Sequence, residues 1–267
     1  MREAADKHNL IMITEAMDKD QGLFQPIKNE RTFEKVSMRI KRLIFDGVLK
    51  PGDRLPSELE LAHQFDVGRQ TIREALRILE LSGFITVQKG GSGGPLIQTT
   101  ILNTINNLFL DAFQLEKVTT EELTLARFEI ERVVMDYAID RADESDIQRL
   151  RENVQRARVK IENNLVAVDE NIEFHNLLAE ASKNHVFVMV VGSIAAVVRD
   201  HTSRMTANLE GQDPTGAYGE SVLKSKNTVD IHEKILEAIM AKDRKKAKQL
   251  MESHLQEVGH RLESLKD

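Results

Sequence analysis

Between Leu96 and Val191 the chain contains neither glycine nor proline. A stretch that long without either breaker reads most simply as consecutive helices joined by tight connections. Its apolar residues recur at spacings of three and four, as one face of a helix requires. One set is Leu102, Ile105, Leu108, Phe109 and Ala112; the next is Leu123, Ala126, Ile130, Val133, Val134 and Tyr137; the third is Ile147, Leu150, Val154 and Ala157. Two further helices are expected over 171–181 and 186–199, and two more over 229–241 and 243–264, broken around Lys242-Asp243. Gly211, Pro214, Gly216 and Gly219 lie between these pairs and predict a long loop or mobile lid over 210–228. Residues 100–267 are therefore expected to form an all-α antiparallel bundle of six or seven helices.

The preceding stretch, residues 31–99, is punctuated differently. Phe33, Val36, Ile40, Leu43 and Ile44 mark a helix that stops at Gly47, and Leu49-Lys-Pro-Gly52 makes a turn. Ser57, with Glu60 three residues on, has the form of a capping box. Leu61, Ala62 and Phe65 are the inward face of the second helix, and Asp66-Val-Gly68 turns the chain again. A third helix follows, with Ile72, Ala75, Leu76 and Leu79 inward and Arg69, Gln70, Arg73 and Arg77 outward. After Gly83, short strands are expected over 84–88 and 95–98, joined by Lys89-Gly-Gly-Ser-Gly-Gly94. Two short helices across a tight turn and then a hairpin with a glycine-rich tip form a winged helix-turn-helix. Residues 1–30 lack sustained periodicity and are expected to be a flexible tail.

Charge is distributed along the same division. Residues 31–99 hold 11 Lys/Arg against 8 Asp/Glu, a balance of +3, whereas residues 100–267 hold 22 against 29, a balance of -7. A basic head on an acidic body fits DNA contact by the head alone. There are no cysteines, so any metal must take His, carboxylate or amide ligands. No signal peptide is evident, and no run approaches the 18 or so apolar residues of a membrane span, so a cytoplasmic location without membrane association is expected.

A recognition helix reads base edges with the outward residues of its N-terminal half, while neighbouring groups grip phosphates. Arg69 and Arg73 suit bidentate contact with guanine, Gln70 and Thr71 suit base or phosphate, and Lys89 on the wing can neutralise a phosphate. In the bundle, Asn171 and His175 are four apart and share a helix face, His232 is expected to open a helix, and His254 lies near the middle of the last one. Such groups can converge on a metal in a bundle core; the alternative is buried histidines bonded to neighbours.

The motifs Pro51-Gly-Asp-Arg-Leu-Pro-Ser-Glu, Val67-Gly-Arg-Gln-Thr-Ile-Arg-Glu-Ala-Leu76 and Leu79-Glu-x-x-Gly83 resemble the GntR family of bacterial transcription regulators, over about residues 32–98. The resemblance implies DNA contacts at Arg69, Gln70, Thr71, Arg73, Lys89 and Gly90. Two positions depart from the family pattern: Gly68 stands where a hydroxyl residue is usual, and Leu59 where some members have an arginine contact. Leu125-Ala-Arg-Phe-Glu-Ile-Glu131, the stretch from Asn171 to Asn184, and the segments holding His232 and His254 are similar to FCD, the effector domain of the FadR subgroup. That similarity implies Asn171, His175, His232 and His254 as ligands of a divalent metal, with zinc first and nickel, manganese or iron as alternatives. It also implies Arg127 as a partner of the effector's carboxylate, with Arg199 and His201 lining the same cavity. On residues alone, Arg127 is equally a partner for Glu131, four residues on. The expected protein is a homodimeric regulator that binds a palindromic double-stranded operator and answers to a small organic acid. The alternative is a regulator whose metal is the signal or is purely structural. His232-Glu233 lacks the second histidine of HExxH and no nucleophile–base arrangement is visible, so no enzyme is expected.

Overall fold

The structure is a computed structural model and describes residues 32–87, 94–207 and 217–263. The tail expected over 1–30 and the wing positions Lys89 and Gly90 lie outside the described residues. The chain divides into two compact units, residues 1–99 and 100–267.

The first unit contains α1 (Thr32–Phe45), α2 (Glu58–Phe65), α3 (Arg69–Leu81), β1 (Ile85–Thr86) and β2 (Leu96–Ile97). Its core is the predicted one: Val36 and Ile40 of α1 meet Leu61 of α2 and Ile72, Leu76 and Leu79 of α3. Ser57 caps α2 by accepting the Glu60 N–H at 3.2 Å, but Glu60 does not complete the expected box. Its carboxylate accepts instead from Gln64, one turn on, at 3.4 Å. Gly68 begins α3 without a side-chain cap, and Gly83 turns the chain out of it at φ +77°.

The two strands pair antiparallel, Ile85 with Ile97 and Thr86 with Leu96, and are shorter than expected. Beyond Thr86 the N–H of Val87 donates to Glu80 Oε1 at 3.1 Å, which ties the end of β1 back to α3. On the other side of β2, Ile97 donates to Asp53 O at 2.9 Å and Leu55 donates to Pro95 O at 2.8 Å. This pairing brings Gly94 against the backbone of Leu55, where a Cβ would lie 1.9 Å from the Leu55 carbonyl oxygen. Gly94 is thus required by close backbone approach.

The second unit is all helical: α4 (Leu102–Leu115), α5 (Thr120–Arg141), α6 (Glu144–Glu162), α7 (Val168–Ala181), α8 (His185–Ala207), α9 (Ala217–Met240) and α10 (Arg244–Glu263). Full capping boxes start α5, at Thr119 and Glu122, and α6, at Asp143 and Asp146. α7 is the central element and packs against α5, α6, α8 and α9. Phe174 and Leu178 on it are fully buried with Met135, Leu150, Ile235 and Leu255 from the surrounding helices. α10 lies along α5 and α9.

Three expectations are corrected here. α9 begins at Ala217, so most of the stretch expected as a loop over 210–228 is helix. The punctuation ends at Gly219, and Ser225, Thr228 and Val229 beyond it are buried against the bundle. His232 therefore lies past the midpoint of α9 and does not open a helix. Finally, the segment His185–Ser203 of α8 is long and apolar enough, by composition, to cross a membrane. Its apolar side is a packing surface: Val191, Ile194, Val197 and Val198 are buried where α8 meets α4, α5 and α7.

Replacing Gly94 by alanine should force the backbone at Leu55 and Pro56 to shift, at a cost of about 1–3 kcal/mol. Chemical denaturation of the full chain, followed by a probe in residues 32–99, would measure it. An unchanged midpoint would show that the strands can separate without loss.

Candidate metal centre and nucleic-acid interface

α3 is amphipathic, and its outer face carries the candidate DNA-reading groups. Arg69, Gln70 and Arg73 are exposed and Thr71 is half-buried, while Ile72, Ala75, Leu76 and Leu79 face the core. Gln70 Nε2 donates to Glu74 Oε1 at 3.1 Å, one turn on. Arg73 Nε lies 3.9 Å from Glu58 Oε2 with both side chains well exposed, a pairing too weak to hold the arginine back. Gln70, Arg73 and Arg77 line one groove with Val87 and Gly94 at the base of the wing.

The bundle contains a second concentration of chemistry. α7 carries Asn171 and His175 on successive turns, α9 carries His232 and α10 carries His254. The three histidines are 3%, 2% and 1% exposed. His175 Nε2 and His254 Nε2 are 3.2 Å apart, as are His232 Nε2 and His254 Nε2. Phe174 stacks on the His232 ring, with centroids 4.0 Å apart and planes within 8° of parallel, which fixes that imidazole's plane.

Glu131 Oε2 accepts from His175 Nδ1, and Glu131 Oε1 accepts from Arg127 Nε at 2.6 Å. All three side chains are buried. Burial raises the Glu131 pKa, but His175 and Arg127 more than reverse this, by charge and by hydrogen bonding, and bring it to about 2. Burial lowers the His175 pKa, and the attraction of Glu131 does not fully restore it against the repulsion of Arg127. At neutral pH, then, an ionised carboxylate faces a neutral imidazole. The carboxylate can only accept, so the proton sits on Nδ1 and His175 presents a lone pair at Nε2.

The fit to a cation follows from this donor set. His254 Nε2 is close to two other ring nitrogens, and a single proton cannot serve both contacts. One cation can accept lone pairs from all three. Nitrogens bound to one ion at about 2.0–2.1 Å lie about 2.8–3.4 Å apart in octahedral or tetrahedral geometry, a range that holds the 3.2 Å spacings here. A carboxylate behind a ligating histidine is the usual support of such a centre. The buried Asn171 Oδ1 has no hydrogen-bond partner among the described residues.

Arg127, Glu131 and His175 line a cavity with Ile172, Val191, Ala195 and Val198. Its volume is about 10 Å³, which is room for one water. Arg199 is not among these lining residues; it is exposed and paired with Asp169. Nor is His201, which is half-buried with its ring edge-on to Phe113 at 6.1 Å. Glu131 and Phe174 were not singled out as site residues from sequence. Both stand next to signals that were read: Glu131 is four residues from Arg127, and Phe174 immediately precedes His175.

A helix-turn-helix with a hairpin wing, followed by a helical bundle with polar groups gathered in its core, defines a DNA-binding regulator. Residues 32–93 match bacterial regulatory proteins of the gntR family, and residues 122–257 match the FCD domain. The chain belongs to the GntR family, in the FadR subgroup with an FCD domain; it is a transcription regulator and not an enzyme. It is 28% identical to the Uxu operon regulator of Haemophilus influenzae over 237 residues, 89% of this chain and 84% of that one. It is also 28% identical to the Uxu operon transcriptional regulator of Escherichia coli, over 87% of each chain. A third relative, the HTH-type transcriptional regulator YcbG of Bacillus subtilis, is 30% identical over 88% of this chain and 91% of its own. Among solved structures, a GntR protein of Streptococcus agalactiae aligns with a TM-score of 0.64 and 22% identity, over 86% of this chain and 99% of that one, which shows the shared fold.

The buried carboxylate sets the acid response. In the unfolded chain Glu131 takes up its proton near 4.5, in the folded chain only near 2. The unfolded state binds that proton first, so the contribution of Glu131 is complete above about pH 4.5 and is lost as pH falls toward 2. His175 is lowered from 6.5, so stability begins to decline as pH falls through that value. Glu131→Gln should remove the lower window and leave Arg127 buried without its counter-charge, at a cost of about 3–5 kcal/mol at pH 7. Urea denaturation from pH 7 to pH 3 checks this, the gap between variant and wild type narrowing below pH 4.5. A constant gap would refute the assignment.

Proposed function

We propose that this regulator binds a palindromic operator as a homodimer in the cytoplasm and answers to a small organic acid that enters the bundle beside a divalent metal. Asn171, His175, His232 and His254 are assigned as the ligands, and zinc is the ion that an imidazole-rich set suits best. Bound there, the ion supplies a Lewis-acidic position for an anionic group. The observation that carries the effector reading is the condition of Arg127. Its Nε is committed to Glu131, whereas no described residue bonds its terminal amino groups, and it lines the same cavity as His175. A guanidinium edge with spare donors next to a metal centre suits a carboxylate.

In the DNA head, Arg69 and Arg73 read bases, Gln70 and Thr71 support them, and Lys89 and Gly90 approach the backbone of the duplex. The effector changes operator affinity only so far as it binds the DNA-competent and incompetent states unequally. The likeness to regulators named for the Uxu operon, and to the Exu regulon transcriptional regulator of Escherichia coli at 27% identity, supports control of an operon of that kind.

One observation favours a second reading, in which the metal is the signal or a structural staple. The cavity beside His175 holds about one water, so an acid requires the bundle to open. Operator binding, measured by fluorescence anisotropy with and without a chelator against a panel of small carboxylates, separates the two. An acid that shifts operator affinity at least about fivefold in the metal-loaded protein, and not in Arg127→Lys, is the expected result. A shift with metal alone, and with no acid, would establish the second reading.

The DNA assignment has its own test. Arg69→Ala/Arg73→Ala should weaken operator binding by at least about tenfold and flatten its discrimination against unrelated duplexes. Unchanged discrimination would place base reading elsewhere.

A further inference from the structure

We propose that Ser225 is a positioning residue for the metal centre: its hydroxyl oxygen, already accepting from the start of α7, holds the Nδ2 end of the Asn171 amide and leaves Oδ1 for the cation. This rests on the reading of Asn171, His175, His232 and His254 as ligands.

A side-chain amide has two ends of nearly equal shape and opposite chemistry. Only the oxygen has lone pairs for a cation; the NH2 end would point two positive dipoles at it. An asparagine ligand therefore needs something to hold it the right way round, which an aspartate with two equivalent oxygens does not. In the structure, Asn171 Nδ2 donates to Ser225 Oγ at 3.3 Å, while Oδ1 is buried and accepts from no described residue. Ser225 is itself 4% exposed and accepts the backbone N–H of Ala167 at 3.0 Å. Ala167 is the N-cap residue of α7 and has no side-chain cap of its own, so the hydroxyl of Ser225 is fixed at the start of the helix that carries Asn171 and His175.

Ser225 and His232 are seven residues apart on α9, two turns along one face, with Thr228 between them and all three buried. One face of α9 thus delivers a ligand directly and orients another on α7. The competing account gives Ser225 only the Ala167 cap. The two accounts differ when residue 171 has no wrong way round.

The test uses the full-length protein stripped of metal and titrated with zinc against a chromophoric chelator. Wild type, Ser225→Ala, Asn171→Asp and the double variant are compared. Ser225→Ala should weaken zinc binding by about 10- to 100-fold, the usual effect of losing a residue that supports a ligand. In the Asn171→Asp background the same change should alter affinity by no more than about twofold, within ordinary additivity error. An equal loss in both backgrounds, or none in either, would overturn the proposal. Wild-type protein that binds no zinc would remove the metal reading itself, and this inference with it. Should Ser225→Ala not fold, Ser225→Thr carries the test: it keeps the oxygen and should stay within about twofold of wild type, and a tenfold loss would count against the role.

Discussion

The chemistry of the bundle depends on one buried carboxylate. Glu131 is surrounded by protein, and its charge is retained because Arg127 meets one of its oxygens and His175 the other. A buried ion pair of this kind contributes little net stability against a well-packed apolar alternative. What it contributes here is a chemical state. With Glu131 ionised, His175 is held in one tautomer, its plane is set, and its Nε2 lone pair is aimed at His232 and His254. Removing the carboxylate would leave three imidazoles close together with no rule for where their protons go.

The fold places this arrangement by making α7 the shared neighbour. It packs on α5, which supplies Arg127 and Glu131, and on α9, which supplies His232. Asn171, Phe174 and His175 sit within five residues on it, and Phe174 both fills the core and stacks on His232. Packing and site are thus built from the same side chains. A change in ligand geometry is then felt as a change in core packing, the condition for a site to bias a conformational equilibrium.

Much of this was legible in the amino-acid order. The absence of glycine and proline between Leu96 and Val191 announced consecutive helices, and the spacing of Ile72, Ala75, Leu76 and Leu79 announced which side of α3 is turned inward. Asn171 and His175 could be paired by their spacing of four, but the meeting of His175 with His232 and His254 was implied by family resemblance, since convergence of three helices is a tertiary property. Glu131 looked like half of a surface ion pair because spacing records proximity along a helix and not burial. The start of α9 was hidden by Gly216 and Gly219 and by the run Ser221 to Thr228, whose polar residues lower helix propensity. With the start of that helix misplaced, the relation of Ser225 to His232 could not be seen.

The three histidines come from helices far apart along the chain; His175 and His254 are separated by 79 residues. An ion bound between them is a removable cross-link closing long loops. Separation of α7, α9 and α10 would have to wait for it to leave. The folded lifetime of the protein, and its exposure to proteases that attack opened chains, would then follow the cell's supply of that ion.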